Sequence, residues 1–147
     1  MIQGQIMYEH DGEILAWSLN LGRQNLPGLT FYSSSEDFIQ VGIWNHPLNT
    51  VLNSHIHNKH VKDSNRTSEV LVVLDGSIHV DLYSESQELV TSAVVSSGEI
   101  LVCLRGGHGY RILLENTKVL EIKNGPYYGP EIDRSPFPSQ CNSCTNT

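Results

Sequence analysis

Positive charge is scarce in this chain of 147 residues: nine Lys and Arg stand against 16 Asp and Glu, a formal net charge of −7 with neutral histidine. Those nine cations are scattered, whereas a protein that tracks a phosphate backbone needs them clustered. A nucleic-acid partner is therefore not expected. Cysteine is scarcer still, with three in the chain. Cys103 sits alone in an apolar run, where a thiol behaves as a small hydrophobe. Cys141 and Cys144 form a C-x-x-C in a polar tail that lacks the following helix of a redox motif and the second pair of a zinc site. Residues 1–11 lack a basic stretch followed by an apolar core, so no secretory signal is read and a reduced, cytoplasmic setting is expected. The sequon Asn65-Arg66-Thr67 is then read as coincidence. With 39% hydrophobic and 17% charged residues, the composition is neither that of a disordered tail nor that of a membrane span.

Histidine, by contrast, is plentiful: seven in all, with His55, His57 and His60 inside six residues. Imidazole is the commonest metal ligand and the usual proton carrier near neutral pH. Little of the chain reads as helix. Short runs rich in Val, Ile, Leu, Tyr and Phe alternate with turn residues, the pattern of an antiparallel sandwich or barrel. Strands are expected near 14–20, 38–44, 52–57, 69–74, 77–83, 89–95, 100–104, 108–114 and 118–123. Residues 125–138 carry four prolines and two glycines and read as an irregular strap. One domain of 1–147 is expected, with a core of about 38–123 and a strap of 124–147.

Asp75-Gly76, between two apolar runs, reads as a type I′ hairpin turn. That register sets Leu74 opposite Ser77, Val72 opposite His79 and Glu69 opposite Leu82. Because side chains alternate across a sheet, one face holds Glu69, Leu71, Val73, Ile78, Val80 and Leu82. The other holds Val70, Val72, Leu74, Ser77, His79 and Asp81. Glu69 thus shares an otherwise apolar face, where an unpartnered carboxylate is costly. Either a cation resolves that cost or the residue sits wet at the strand's end. The same alternation puts His55 and His57 on one face, and His108, Tyr110, Ile112 and Leu114 on another. His55, His57, Glu69 and His108 make a plausible three-nitrogen, one-oxygen site for Mn, Fe, Co, Ni or Zn.

This arrangement resembles a cupin, the small jelly-roll barrel (double-stranded β-helix) superfamily. His55-Ile56-His57 matches the opening H-x-H of its first motif, and Glu69, then the six residues 70–75, then Gly76 match its close. The gap of eleven residues, 58–68, departs from the usual three or four; Val61 and Lys62 stand at the usual offset, and Asp63 lacks the downstream glycine. The second motif is similar at Gly98, Gly106 and His108, and departs at Leu104 and Ile112, where the family has proline and asparagine. The tail from Glu121 to Gly129 looks like that of small single-domain cupins associated with bacterial surface-sugar biosynthesis.

The resemblance implies one divalent metal held by His55, His57, Glu69 and His108, and a small polar or sugar-related ligand. The activity implied is a metal-dependent oxidation, isomerisation or hydrolysis. Tyr110, two residues from His108 on the same expected face, is read first as core packing and second as a catalytic candidate that orients substrate or donates a proton. The rivals are a non-catalytic binding or sensor protein and a barrel that has lost its metal. Tyr127, Tyr128 and Trp44 are read first as packing and second as sugar-stacking groups. His10, His46, His60 and His79 read as ordinary residues. The apolar stripe Val70, Val72 and Leu74 demands a cover, from the N-terminal residues or another subunit; since cupins often dimerise through such a sheet, a homodimer is expected.

Overall fold

The computed structural model describes residues 4–138, so Cys141 and Cys144 lie outside the described residues. Ten strands follow one another: β1 (Gln5–His10), β2 (Glu13–Asn20), β3 (Gly28–Phe31), β4 (Gly42–Asn45), β5 (Glu69–Asp75), β6 (Ser77–Tyr83), β7 (Leu89–Ser96), β8 (Glu99–Cys103), β9 (Gly107–Ile112) and β10 (Lys118–Lys123). A 3-10 turn at Leu21–Arg23 and a four-residue helix, α1 (Pro130–Asp133), complete the regular structure. No helix among the described residues is long and apolar enough to cross a membrane.

The class is all-β and every pairing is antiparallel, as the alternating sequence requires. One sheet runs β1-β2-β8-β5-β10, a second runs β7-β6-β9, and β3 and β4 form a separate two-stranded pair. Among the described residues these sheets do not close into a barrel. Instead the five- and three-stranded sheets face each other across a core of Ala16, Leu71, Val73, Leu101 and Cys103 on one side and Ile78, Val80, Leu82 and Val95 on the other. The outer face of the larger sheet is apolar too. Trp17, Leu19, Val70, Ile100 and Val102 are buried there beneath Tyr32, Ile39, Val41 and Ile43. The cover expected for Val70 and Val72 thus comes from residues N-terminal to them, while Leu74 stays 53% exposed.

Three expectations need correction. Asp75-Gly76 is not a hairpin turn: β5 pairs with β8 and β10, whereas β6 pairs with β7 and β9. A type I′ turn needs positive φ at both central residues, and here only Gly76 has it, at +77°. The chain therefore turns a corner from one sheet to the other. The inward face of each strand is nonetheless the expected one, because alternation belongs to the strand whatever its partner. A type I′ signature appears instead at Asp11-Gly12, with φ of 50° and 79°, joining β1 to β2. Second, residues 52–57 form no strand; residues 51–64 have no regular structure, and Val51, Ile56 and Val61 are 83%, 91% and 92% exposed. A strand needs a neighbour to take its backbone groups, and among the described residues this segment has none. Third, β1 and β3 were not expected: β1 interleaves Gln, Glu and His with its apolar residues, and β3 is only four residues long.

Gly76 is held by more than its φ, since a Cβ there would lie 2.2 Å from Thr117 Oγ1, whereas one at Gly12 would meet nothing within 4 Å. Both Gly→Ala changes incur the left-handed backbone strain of about 1–2 kcal/mol. Gly76→Ala adds a clash at the corner and is expected to lose more stability in urea unfolding than Gly12→Ala; equal losses would contradict the corner's tight packing.

Candidate functional site

A carboxylate of the larger sheet and an imidazole of the smaller one meet inside the sandwich. On β5, Glu69 lies opposite Cys103 of β8 and Lys123 of β10; on β9, His108 lies opposite Leu82 of β6. Both side chains face the core, and His108 Nε2 approaches Glu69 Oε2 at 3.1 Å. The Tyr110 ring stacks on the His108 imidazole at 5.0 Å between centroids, and its hydroxyl lies 3.8 Å from Cys103 Sγ. Lys123 Nζ stands 4.0 Å from the other Glu69 oxygen, 3.2 Å from Glu121, and 5.0 Å from the centre of the Tyr127 ring.

These contacts fix charge states. Donation from His108 holds the Glu69 carboxyl below its ordinary range; burial opposes this, and the positive charges of His108, Lys123 and Arg134 add to it. Burial pulls the His108 pKa down, but Cys103 and Glu69 outweigh it through hydrogen bonding and charge and lift it to about 10. Burial, then the neighbouring Cys103 and Glu69, push the Tyr110 hydroxyl above its usual value. The pair is thus an imidazolium beside a carboxylate.

Glu69, His108 and Tyr110 open into a cleft of about 1350 Å³. Arg105, Lys123 and Arg134 line it with Tyr83, Tyr127 and Tyr128, and the strap forms one wall. Phe137 of the strap packs edge-on against Tyr83 at 5.1 Å. Gly106, at φ +74°, lets the chain pass close to the Tyr83 carbonyl, where a Cβ would lie 2.3 Å away. Its role is a tight turn.

Of the four expected ligands the structure brings together Glu69 and His108. His55 and His57 stand beside each other, their rings 4.9 Å apart, but on the exposed segment away from that pair. Among the described residues, no three His, Cys, Asp or Glu side chains are grouped to hold a metal ion. The expected four-residue donor set is thus divided between two places, Glu69 with His108 in the cleft and His55 with His57 on the exposed segment. Among the described residues His60 bonds its own loop, through Nδ1 to the Asn58 carbonyl oxygen. His79 pairs with Asp81 at 2.9 Å, facing away from the core. His10 lies 3.5 Å from Asp11, and His46 meets the exposed Trp44 edge-on.

Cys103 and Lys123 are the neighbours that sequence reading missed. Both are register partners of Glu69, but 34 and 54 residues distant in the chain. The apolar run around Cys103 signals burial and nothing of what it touches. No protein-family model, curated protein or solved structure matches this chain.

An imidazolium paired with a carboxylate titrates late. In metal-free protein the His108 ring is expected to stay protonated through pH 8, read from its carbon-bound proton shifts by NMR. Glu69→Gln is expected to move the midpoint down. A wild-type midpoint near 6.5 would contradict the pairing.

Proposed function

We propose that this chain is a jelly-roll protein of the cupin type that binds one divalent transition metal and a small polar, sugar-related molecule in the cleft. The observation that carries this reading is the contact between His108 and Glu69, an imidazole and a carboxylate from separate strands meeting at the cleft. His55 and His57 supply the remaining nitrogen donors. Mn, Fe, Co, Ni and Zn all suit two or three imidazoles with a carboxylate. Once bound, such an ion supplies Lewis acidity or oxygen activation.

The chain's own residues do the rest. To hold such an ion, His108 would have to be neutral at Nε2, and Lys123, 4.0 Å from Glu69, offsets the carboxylate's charge. Tyr110 fixes the plane of the His108 ring by stacking and presents a hydroxyl that stays protonated. It orients a ligand oxygen or donates a proton to it. Tyr127 and Tyr128, 54% and 65% exposed, offer flat faces to a sugar ring. The reaction that fits is oxidation or isomerisation of such a molecule, in keeping with bacterial surface-polysaccharide metabolism.

A binding or sensor role without turnover is the second reading. The raised His108 pKa favours it, because an imidazole held protonated by Glu69 is not a free base.

Metal analysis of the full chain after loading with zinc and gel filtration is expected to give one ion per chain. His108→Ala and the His55→Ala/His57→Ala double variant are each expected to bind zinc at least about 100-fold more weakly. Full stoichiometry in either variant would overturn the ligand set. Oxygen uptake or sugar-nucleotide turnover by the loaded protein separates enzyme from binder.

A further inference from the structure

The strap, residues 125–137, crosses from one sheet to the other. It leaves β10, at the edge of the larger sheet, and ends against β6 and β9 of the smaller one. Asn124 fixes its first end. The Asn124 Oδ1 accepts a hydrogen bond from the Ser68 backbone N–H at 2.7 Å, and its Nδ2 donates to the Arg66 carbonyl oxygen at 3.0 Å. At the far end the Phe137 ring lies edge-on to the buried Tyr83. Beneath that ring is Gly107, the register partner of Tyr83, where a Cβ would stand 2.8 Å from Phe137 Cζ. A residue without a side chain thus makes the seat in which Phe137 rests.

Between these two ends the strap leans on little. Among the described residues its hydrogen bonds are internal: Ile132 and Asp133 donate to the Gly129 carbonyl oxygen, and Arg134 donates to that of Pro130. Tyr127 meets Lys123 next to the fixed end. Helix α1 buries no residue, and Ile132 is 74% exposed. Among the described residues, neither cluster of the hydrophobic core includes one from the strap. A segment with so few buried contacts opens locally while the rest of the domain stays folded.

We infer that the strap is a lid, which pivots at its Asn124 end and is latched by Phe137 in the seat of Tyr83 and Gly107. Shut, it walls the cleft beside Glu69 and His108 and brings Arg134 to the cleft's lining. Closure keeps water from that pair, and opening lets a small molecule in and out. A segment that held the sheets together would turn its large apolar side chains inward. This one leaves Tyr127, Tyr128 and Ile132 exposed and commits Phe137 to the body of the protein. The lid goes beyond the metal reading and stands without it.

Limited trypsin digestion of the metal-free full chain, with the first cuts identified by mass spectrometry, tests the lid. A protease cuts a chain that has come away from its packing, so the 134–135 bond reports opening. Lys59 and Lys62 lie on the exposed irregular segment and serve as references that the lid does not touch. In the wild type the bond after Arg134 is expected to be cut well behind those after Lys59 and Lys62. Phe137→Ala removes the latch, and Gly107→Ala pushes the ring out of its seat from below. Each is expected to speed the cut after Arg134 about 10-fold, the worth of one aromatic contact in the open population. The reference cuts and the urea midpoint are expected to stay unchanged. A cut after Arg134 at one rate in the wild type and both variants would overturn the latch. A lowered urea midpoint in both variants, with faster cutting at every site, would overturn the lid by making the strap part of the folded core.

Discussion

Residues 70–73 of β5 and 100–103 of β8 are apolar on both sides of their strands, so the middle of the larger sheet cannot face water on either side. One side is covered by the three-stranded sheet. The other is covered by the chain between β2 and β5, which brings Tyr32, Ile39, Val41 and Ile43 across it. With both faces thus covered, what stays open is a side, between the β9 edge and the β10 edge. The cleft lies on that side.

The placement of the charged groups follows from the same constraint. Glu69 begins β5 on its inward face, where a lone carboxylate would be costly. His108 Nε2 at 3.1 Å and Lys123 Nζ at 4.0 Å offset that cost, and Tyr110 and Cys103 enclose the pair. A carboxylate kept ionised and an imidazole kept protonated are thereby held where solvent and a small molecule can reach them. The strap narrows the approach through Phe137 and Tyr127.

Much of this was legible in the sequence, for local reasons. Alternation assigned the inward faces of β5, β6 and β9 correctly, because it depends on successive residues of one strand. It pointed Glu69 and His108 the same way without knowing that they touch. Pairing was not legible. The same Asp-Gly dipeptide makes a hairpin turn at residues 11–12 and a corner at 75–76, and the difference shows only in which strands the flanking residues pair with. The segment carrying His55 and His57 has a strand's pattern and, among the described residues, no strand's neighbours. Pattern states that such a segment can pair, and only a partner decides whether it does. Cys103 escaped notice for a related reason: its contacts are set by cross-strand register over tens of residues.

The measurement that bears most directly on the proposed site is zinc K-edge X-ray absorption on the loaded full-length protein. The donor set of His55, His57, Glu69 and His108 predicts a first shell of nitrogen and oxygen only, at about 2.0–2.1 Å, with the multiple scattering of three imidazoles. A sulfur shell near 2.3 Å would give the metal to cysteine. That result, or scattering from a single imidazole, would contradict the site.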